Sequence, residues 1–285
     1  MLEQLENRAL FSVTYDETTG ALTVVGTPGK DRVIFSEEIL HITGKHVLRL
    51  HFNGTVRDYR KGSVRKIDIQ TLDGDDLVIL GTINVPSTLN GGAGDDSLSG
   101  GDDKDVIDGG DGNDYLYGRK DADSLTGGQG YDLILGGPGS DRIVPFSDSL
   151  GDDTVAGGKG MDVVDYSNWP EPLFAYVGGT VEKHRESDKL LVGLETIIGS
   201  AFDDRIINST PKPMVLEGGA GNDTITGGSG SDTINGGVGK DLLQGMGRKD
   251  LFIASDSESD TLDGGSAADA TESFDLGLDL VANVP

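Results

Sequence analysis

Aspartate is the residue whose placement could do chemistry in this chain. From Gly91 onward it recurs at every ninth residue, as Asp96, Asp105, Asp114, Asp123, Asp132 and Asp141. Each closes a glycine-rich turn such as GGAGDD or GGDGND. Two places further on stands an aliphatic residue: Leu98, Ile107, Leu116, Leu125, Ile134 or Ile143. After a break at Pro145–Ser147 the register resumes with Asp153 and Asp162. A second array starts at Gly218 with Asp223, Asp232, Asp241 and Asp250, and after one inserted residue, Ala254, it decays through Asp260 and Asp269. A looser copy, GSAFDDRII, centres on Asp204, and fainter echoes surround Asp31 and Asp76. Like charges in register repel, so something of opposite charge must hold them together.

The elements that would position these carboxylates follow from the other places of the repeat. A glycine pair, a spacer and a third glycine can take positive φ and turn tightly. The x-U-x triplet that follows, with U aliphatic, suits a short strand whose middle side chain points inward. Two turn–strand units make one coil of a flattened helix, and coils stack by parallel pairing. Position 6 of one copy then lies near position 6 of the copy after next. Only one side chain per strand is buried. At ~25 cal/mol per Å² such a thin core cannot offset ordering so many glycines at roughly 1–2 kcal/mol each. A further stabiliser is required. A hard cation between turns could take carboxylates and outward-turned carbonyls, and all-oxygen coordination of that kind points to calcium. Zinc would want His or Cys, and the arrays contain neither.

The phrase GGxGxDxUx resembles the RTX (hemolysin-type) calcium-binding nonapeptide repeat, with a close match over 91–165 and 199–272. The resemblance implies an all-β fold, a calcium-bound parallel β-roll in two arrays. It implies extracellular calcium binding through the aspartates at position 6, from Asp96 through Asp260. It also implies turn carbonyls at positions 2 and 4 as ligands: Gly92, Gly94, Gly110, Gly112, Gly128, Gly130, Gly219, Gly221, Gly228, Gly230, Gly237 and Gly239. The copies GRKDAD (118–123) and GGDDKD (100–105) depart from the pattern, as does GMGRKD (245–250). Because Arg119 and Lys120 intrude, ions are expected to be missing or displaced between Asp105 and Asp123.

The 285 residues carry 49 acidic against 23 basic side chains, a formal charge of −26. That sign disfavours nucleic acid, whose phosphates need Lys and Arg, and favours cationic partners. The absence of cysteine removes disulfides and thiolate metal sites. No apolar run approaches the ~20 residues of a membrane span. The opening MLEQLENRALFSV lacks the basic start, apolar stretch and cleavage site of a classical signal peptide. Its LENRALFS is similar to a short LE-x-R-x-L-L-S motif that begins many surface or secreted bacterial proteins, and so points outside the cell.

Residues 1–20 read as a leader segment and 21–90 as a β-rich cap with degenerate repeats, such as a solenoid end needs. Residues 166–198 break the phase. They predict a connecting hairpin around Gly178-Gly179, with a basic cluster of Lys183, His184, Arg185 and Lys189, and 273–285 form a tail. His41, His46 and His51 are five apart, which on a strand sends successive rings to opposite faces and argues against a zinc triad. No HExxH helix, GxSxG elbow or Walker loop is present, and no enzyme is expected. Outward positions 7 and 9 are mostly polar, but Tyr115, Tyr117, Leu133 and Leu135 should form one apolar patch, a candidate partner surface. The sequence thus reads as a secreted or cell-surface calcium-binding structural module with a possible surface or matrix partner. The alternative is the calcium-binding appendage of an extracellular enzyme or toxin.

Overall fold

The computed structural model describes residues 11–40, 45–145, 151–178, 188–191, 193–254, 256–266, 269–274 and 279–282. Among these there is no helix. The chain divides into two compact units, Met1–Asp141 and Arg142–Pro285.

In the first unit, Ala21–Val25 pairs in parallel with Lys66–Asp73. That ladder continues through Ser87–Ala93, Asp105–Asp111 and Ser124–Gln129. A second ladder runs through Arg32–Leu40, Leu77–Ile79, Ser97–Ser99, Tyr115–Tyr117 and Leu133–Pro138. The register advances by two nine-residue copies per coil, so Ser97 faces Tyr115 and Tyr115 faces Leu133. Each coil contributes one inward side chain per strand, and Leu98, Ile107, Leu116, Leu125 and Ile134 are fully buried. The same columns continue upstream through Val24, Ile69 and Leu89 in one ladder and Val33 and Val78 in the other. Coiling therefore begins at Ala21, before the glycine repeats are recognisable.

Two additions flank that start. Ser12–Asp16 lies antiparallel on Ala21–Val25. Arg32–Leu40 extends into an antiparallel meander with Lys45–Phe52 and Thr55–Arg60. The last of these strands is charged and largely exposed, which discourages edge-to-edge pairing. His46 and His51 lie on the middle strand, as expected of strand residues, and His41 is outside the described residues.

The second unit repeats the plan. One parallel ladder comprises Arg142–Val144, Val163–Asp165, Thr196–Ile198, Val215–Ala220, Thr233–Val238, Leu251–Ala254 and Ala270–Phe274. The other runs from Thr154–Lys159 through Lys189–Leu190, Phe174–Val177, Arg205–Asn208, Thr224–Thr226, Leu242–Gln244 and Thr261–Asp263 to Leu280–Ala282. The hairpin expected around Gly178-Gly179 is not what the flanking strands form. Phe174–Val177 and Lys189–Leu190 run parallel, each as one rung of the solenoid. Ala175, Val177 and Leu190 are buried, so both strands join the same core. Lys183, His184 and Arg185 lie outside the described residues, and Lys189 is exposed.

Candidate metal centre

Each turn is shaped by three glycine positions with different tasks. At position 1 the task is space: a Cβ on Gly91, Gly109 or Gly218 would stand 2.1–2.2 Å from Oδ2 of Asp96, Asp114 or Asp223. At positions 2 and 4 it is conformation. Gly110 and Gly112 sit at φ 107° and 138°, stacked on the carbonyls of Gly92 and Gly94. Of the twelve glycines named above as carbonyl donors, Gly230 alone lacks positive φ. Arg119 (φ 85°) and Met246 (φ 73°) keep the same left-handed conformation where the sequence departs from glycine. Those turns retain their shape at a backbone cost of about 1–2 kcal/mol each.

The aspartates fold inward beneath these turns, and the repeat aspartates of both arrays are at most 4 % exposed. Their Oδ1 atoms form ladders. Asp96 N–H donates to Asp114 Oδ1 at 2.7 Å, and Asp114 N–H donates to Asp132 Oδ1 at 2.8 Å. Asp105, Asp123 and Asp141 are linked in the same way. In the second unit Asp204, Asp223, Asp241 and Asp260 form one ladder, and Asp232, Asp250 and Asp269 another. Copies n and n+2 therefore do meet, with a backbone amide between successive carboxylates.

The second oxygen is left over. Oδ2 of Asp76, Asp96, Asp114 and Asp123, and of Asp223, Asp232, Asp241, Asp250, Asp260 and Asp269, is buried without a hydrogen-bond donor. A buried acceptor left so costs about 1–3 kcal/mol, and more if charged. Burial raises the Asp96 and Asp114 carboxyls to about 7 and that of Asp123 to about 8. The amide of the preceding coil opposes this rise and neighbouring carboxylates add to it. Asp223 and Asp232 rise to about 7 for the same first reason. Where no N–H reaches it, a proton or a cation relieves such a group. The inward Oδ2, the cradle that a Cβ would fill and the carbonyl-rich turns fit a hard cation taking oxygen ligands. Among the described residues no three His, Cys, Asp or Glu side chains converge, so backbone carbonyls have to complete the shell.

The departures have their own geometry. Lys120 Nζ pairs with Asp102 at 2.7 Å and Arg119 approaches the same carboxylate at 3.6 Å. These protein cations thus sit between adjacent coils on the edge carrying Asp105 and Asp123. Four further rungs lie outside the glycine arrays. Asp31 and Asp76 enter the ladder through Asp31 N–H to Asp76 Oδ1 and Asp76 N–H to Asp96 Oδ1. Asp188 accepts from Asp153 N–H and from the buried Tyr166 hydroxyl, and Glu195 accepts from Asp162 N–H. The signal for the last two was present as D-K-L and E-T-I, an acid two places before a buried aliphatic.

On the outer face, Tyr115 pairs with Leu133 and Tyr117 with Leu135, so the four side chains are contiguous; Tyr115 is exposed and the others half-buried. In the second unit Trp169 packs edge-on against Tyr166, and Leu173 is buried.

Comparison with known families matches the RTX calcium-binding nonapeptide repeat at residues 87–116, 117–144 and 215–243. None of the curated proteins compared with the chain matches it. No helix among the described residues is long and apolar enough to cross a membrane.

Proposed function

We propose that this chain, built of RTX calcium-binding repeats in a parallel β-solenoid, is an extracellular or cell-surface structural module that calcium folds. The observation that carries the reading is the row of buried Oδ2 atoms without donors, repeated coil after coil. Bound calcium would supply positive charge and directions for six to eight oxygen ligands. The chain's own part is to hold the carboxylates. Position-1 glycines leave room for them, the preceding coil's amide fixes Oδ1, and left-handed turns bring backbone into contact with backbone. Affinities of ~10⁻⁴–10⁻³ M, usual for extracellular sites, would keep the arrays unfolded where calcium is scarce. The extracellular assignment rests on that chemistry and on the family's character. The contiguous face of Tyr115, Tyr117, Leu133 and Leu135 is the surface proposed for a cell-surface or matrix partner.

Circular dichroism of the full chain near neutral pH tests the reading. Calcium should convert a largely disordered spectrum into a β-rich one, and excess EGTA should reverse it. A β-rich spectrum indifferent to EGTA would refute it.

A further inference from the structure

Not every repeat turn has the open form. At Asp31, Asp105 and Asp204 the residue at position 2 (Thr27, Gly101 or Ser200) lies outside the left-handed region. Its N–H instead turns inward and donates to Oδ2 of the aspartate, at 2.6, 2.6 and 2.5 Å respectively. Gly101 is the informative case, because a glycine there could adopt the open conformation and does not.

The other oxygen of each group is saturated too. Asp105 Oδ1 accepts from Ser87 Oγ at 2.6 Å and Ser87 N–H at 3.0 Å. Asp204 Oδ1 accepts from Ser200 Oγ and Leu173 N–H, both at 2.7 Å. Asp31 Oδ1 accepts from Thr27 Oγ1 at 3.2 Å and from Asn53 Nδ2 in the turn of the antiparallel meander. In each case one hydroxyl and one position-2 amide do what the open turns leave undone.

These three aspartates share a place in the fold. Each is the first acid of its ladder. The rung before Asp105 is Ser87 and the rung before Asp204 is Leu173, neither of them an acid, while Asp31 opens the ladder that continues to Asp76.

Resting on the calcium reading above, we infer that Asp31, Asp105 and Asp204 are metal-free starter rungs: their carboxylates are closed by hydrogen bonds, and calcium binding begins at the rung after each. This departs from the repeat pattern, which makes Asp105 and Asp204 ligands like the rest. Asp232 is the internal contrast. It too follows a non-acidic rung, Met214, but Gly228 keeps φ 92° and Oδ2 has no donor. Asp232 is therefore a calcium ligand although it stands first.

Crystals of the full chain grown in millimolar calcium, measured for anomalous scattering, test the assignment. Peaks are expected along Asp96 and Asp114 and at Asp232. None is expected within the ~2.3–2.6 Å calcium–oxygen distance of Oδ2 of Asp31, Asp105 or Asp204. An ion bound to any of those three would overturn the inference. Absence of peaks everywhere, Asp96 and Asp114 included, would instead overturn the calcium reading. In solution, Asp114→Asn should lower the number of calcium ions bound per chain, and Asp105→Asn should not in protein that retains its β-rich spectrum. Equal loss in two such folded variants would overturn the inference as well.

Discussion

Acid should partly replace calcium in folding this protein. In the ion-free folded state Asp96 and Asp114 titrate at about 7 and Asp123 at about 8, raised first by burial. In the unfolded chain each returns to ~3.9. A folded-state value above the unfolded one means that the folded state binds more protons between the two. Its contribution to stability is fully present below ~3.9 and is lost as pH rises through about 6 to 8. For a group at about 7, linkage gives roughly 2–3 kcal/mol regained between about pH 7.5 and about pH 5. The groups are coupled and do not add simply, yet a few of them rival a whole domain's ~5–15 kcal/mol. The assay is circular dichroism on protein freed of calcium by dialysis, since carboxylate chelators themselves lose calcium on protonation. Light scattering should accompany it, because pH 5 approaches the pI of 4.2 and invites association. The calcium-free chain should gain β structure as pH falls from about 7.5 to about 5. A calcium-free spectrum that is the same at both values, or more folded at the higher one, would show that the buried carboxylates do not govern folding.

Further outcomes follow from single positions. Gly109→Ala needs no left-handed strain, but its Cβ would stand 2.2 Å from Asp114 Oδ2; calorimetry should show calcium affinity falling at least tenfold, about 1.4 kcal/mol, while Gly29→Ala, with open space around it, leaves affinity unchanged. Arg119→Gly removes a left-handed non-glycine residue together with a weak 3.6 Å ion pair and a 5.9 Å contact over the Tyr117 ring, so the calcium-loaded protein should gain up to ~1 kcal/mol in thermal unfolding; a loss would show the contacts with Asp102 and Tyr117 to be the stronger effect. Replacing Tyr115 and Leu133 together by Ser should leave calcium binding intact. If self-association, surface binding and thermal stability are also unchanged, the apolar face has neither a partner nor a packing role.

The repeat carries much of this architecture on its surface. A nine-residue phase with an aliphatic at position 8 is enough to predict inward strands, parallel stacking and the meeting of copies n and n+2, and the ladders realise all three. What the phase could not show is where each carboxylate oxygen goes. That depends on φ at position 2, and Gly101 and Gly110 are the same residue in opposite conformations. The rungs at 174–177 and 188–190 were hidden for a different reason. The second sets Asp188 two places before Leu190 outside the nine-residue phrase, so the periodicity vanishes while the burial pattern persists. The coils from Ala21 to Asp76 were blurred likewise, by the meander inserted between their strands.

The hydrogen bonds between the buried position-6 aspartates point one way along the chain: an earlier coil gives its N–H, and the coil after it gives the carboxylate. That buried ladder is therefore polar, and in it a turn's amide is completed by its successor rather than its predecessor. Shortening it from the C-terminal side exposes neutral amides, which water can serve. Shortening it from the N-terminal side exposes carboxylates that have lost their donors. The two cut ends differ in charge and in what could cap them, one asking for an acceptor and the other for a donor or a cation. Any lengthening by whole coils has to respect the same arrow, with new carboxylates presented to the amides of the coil before them.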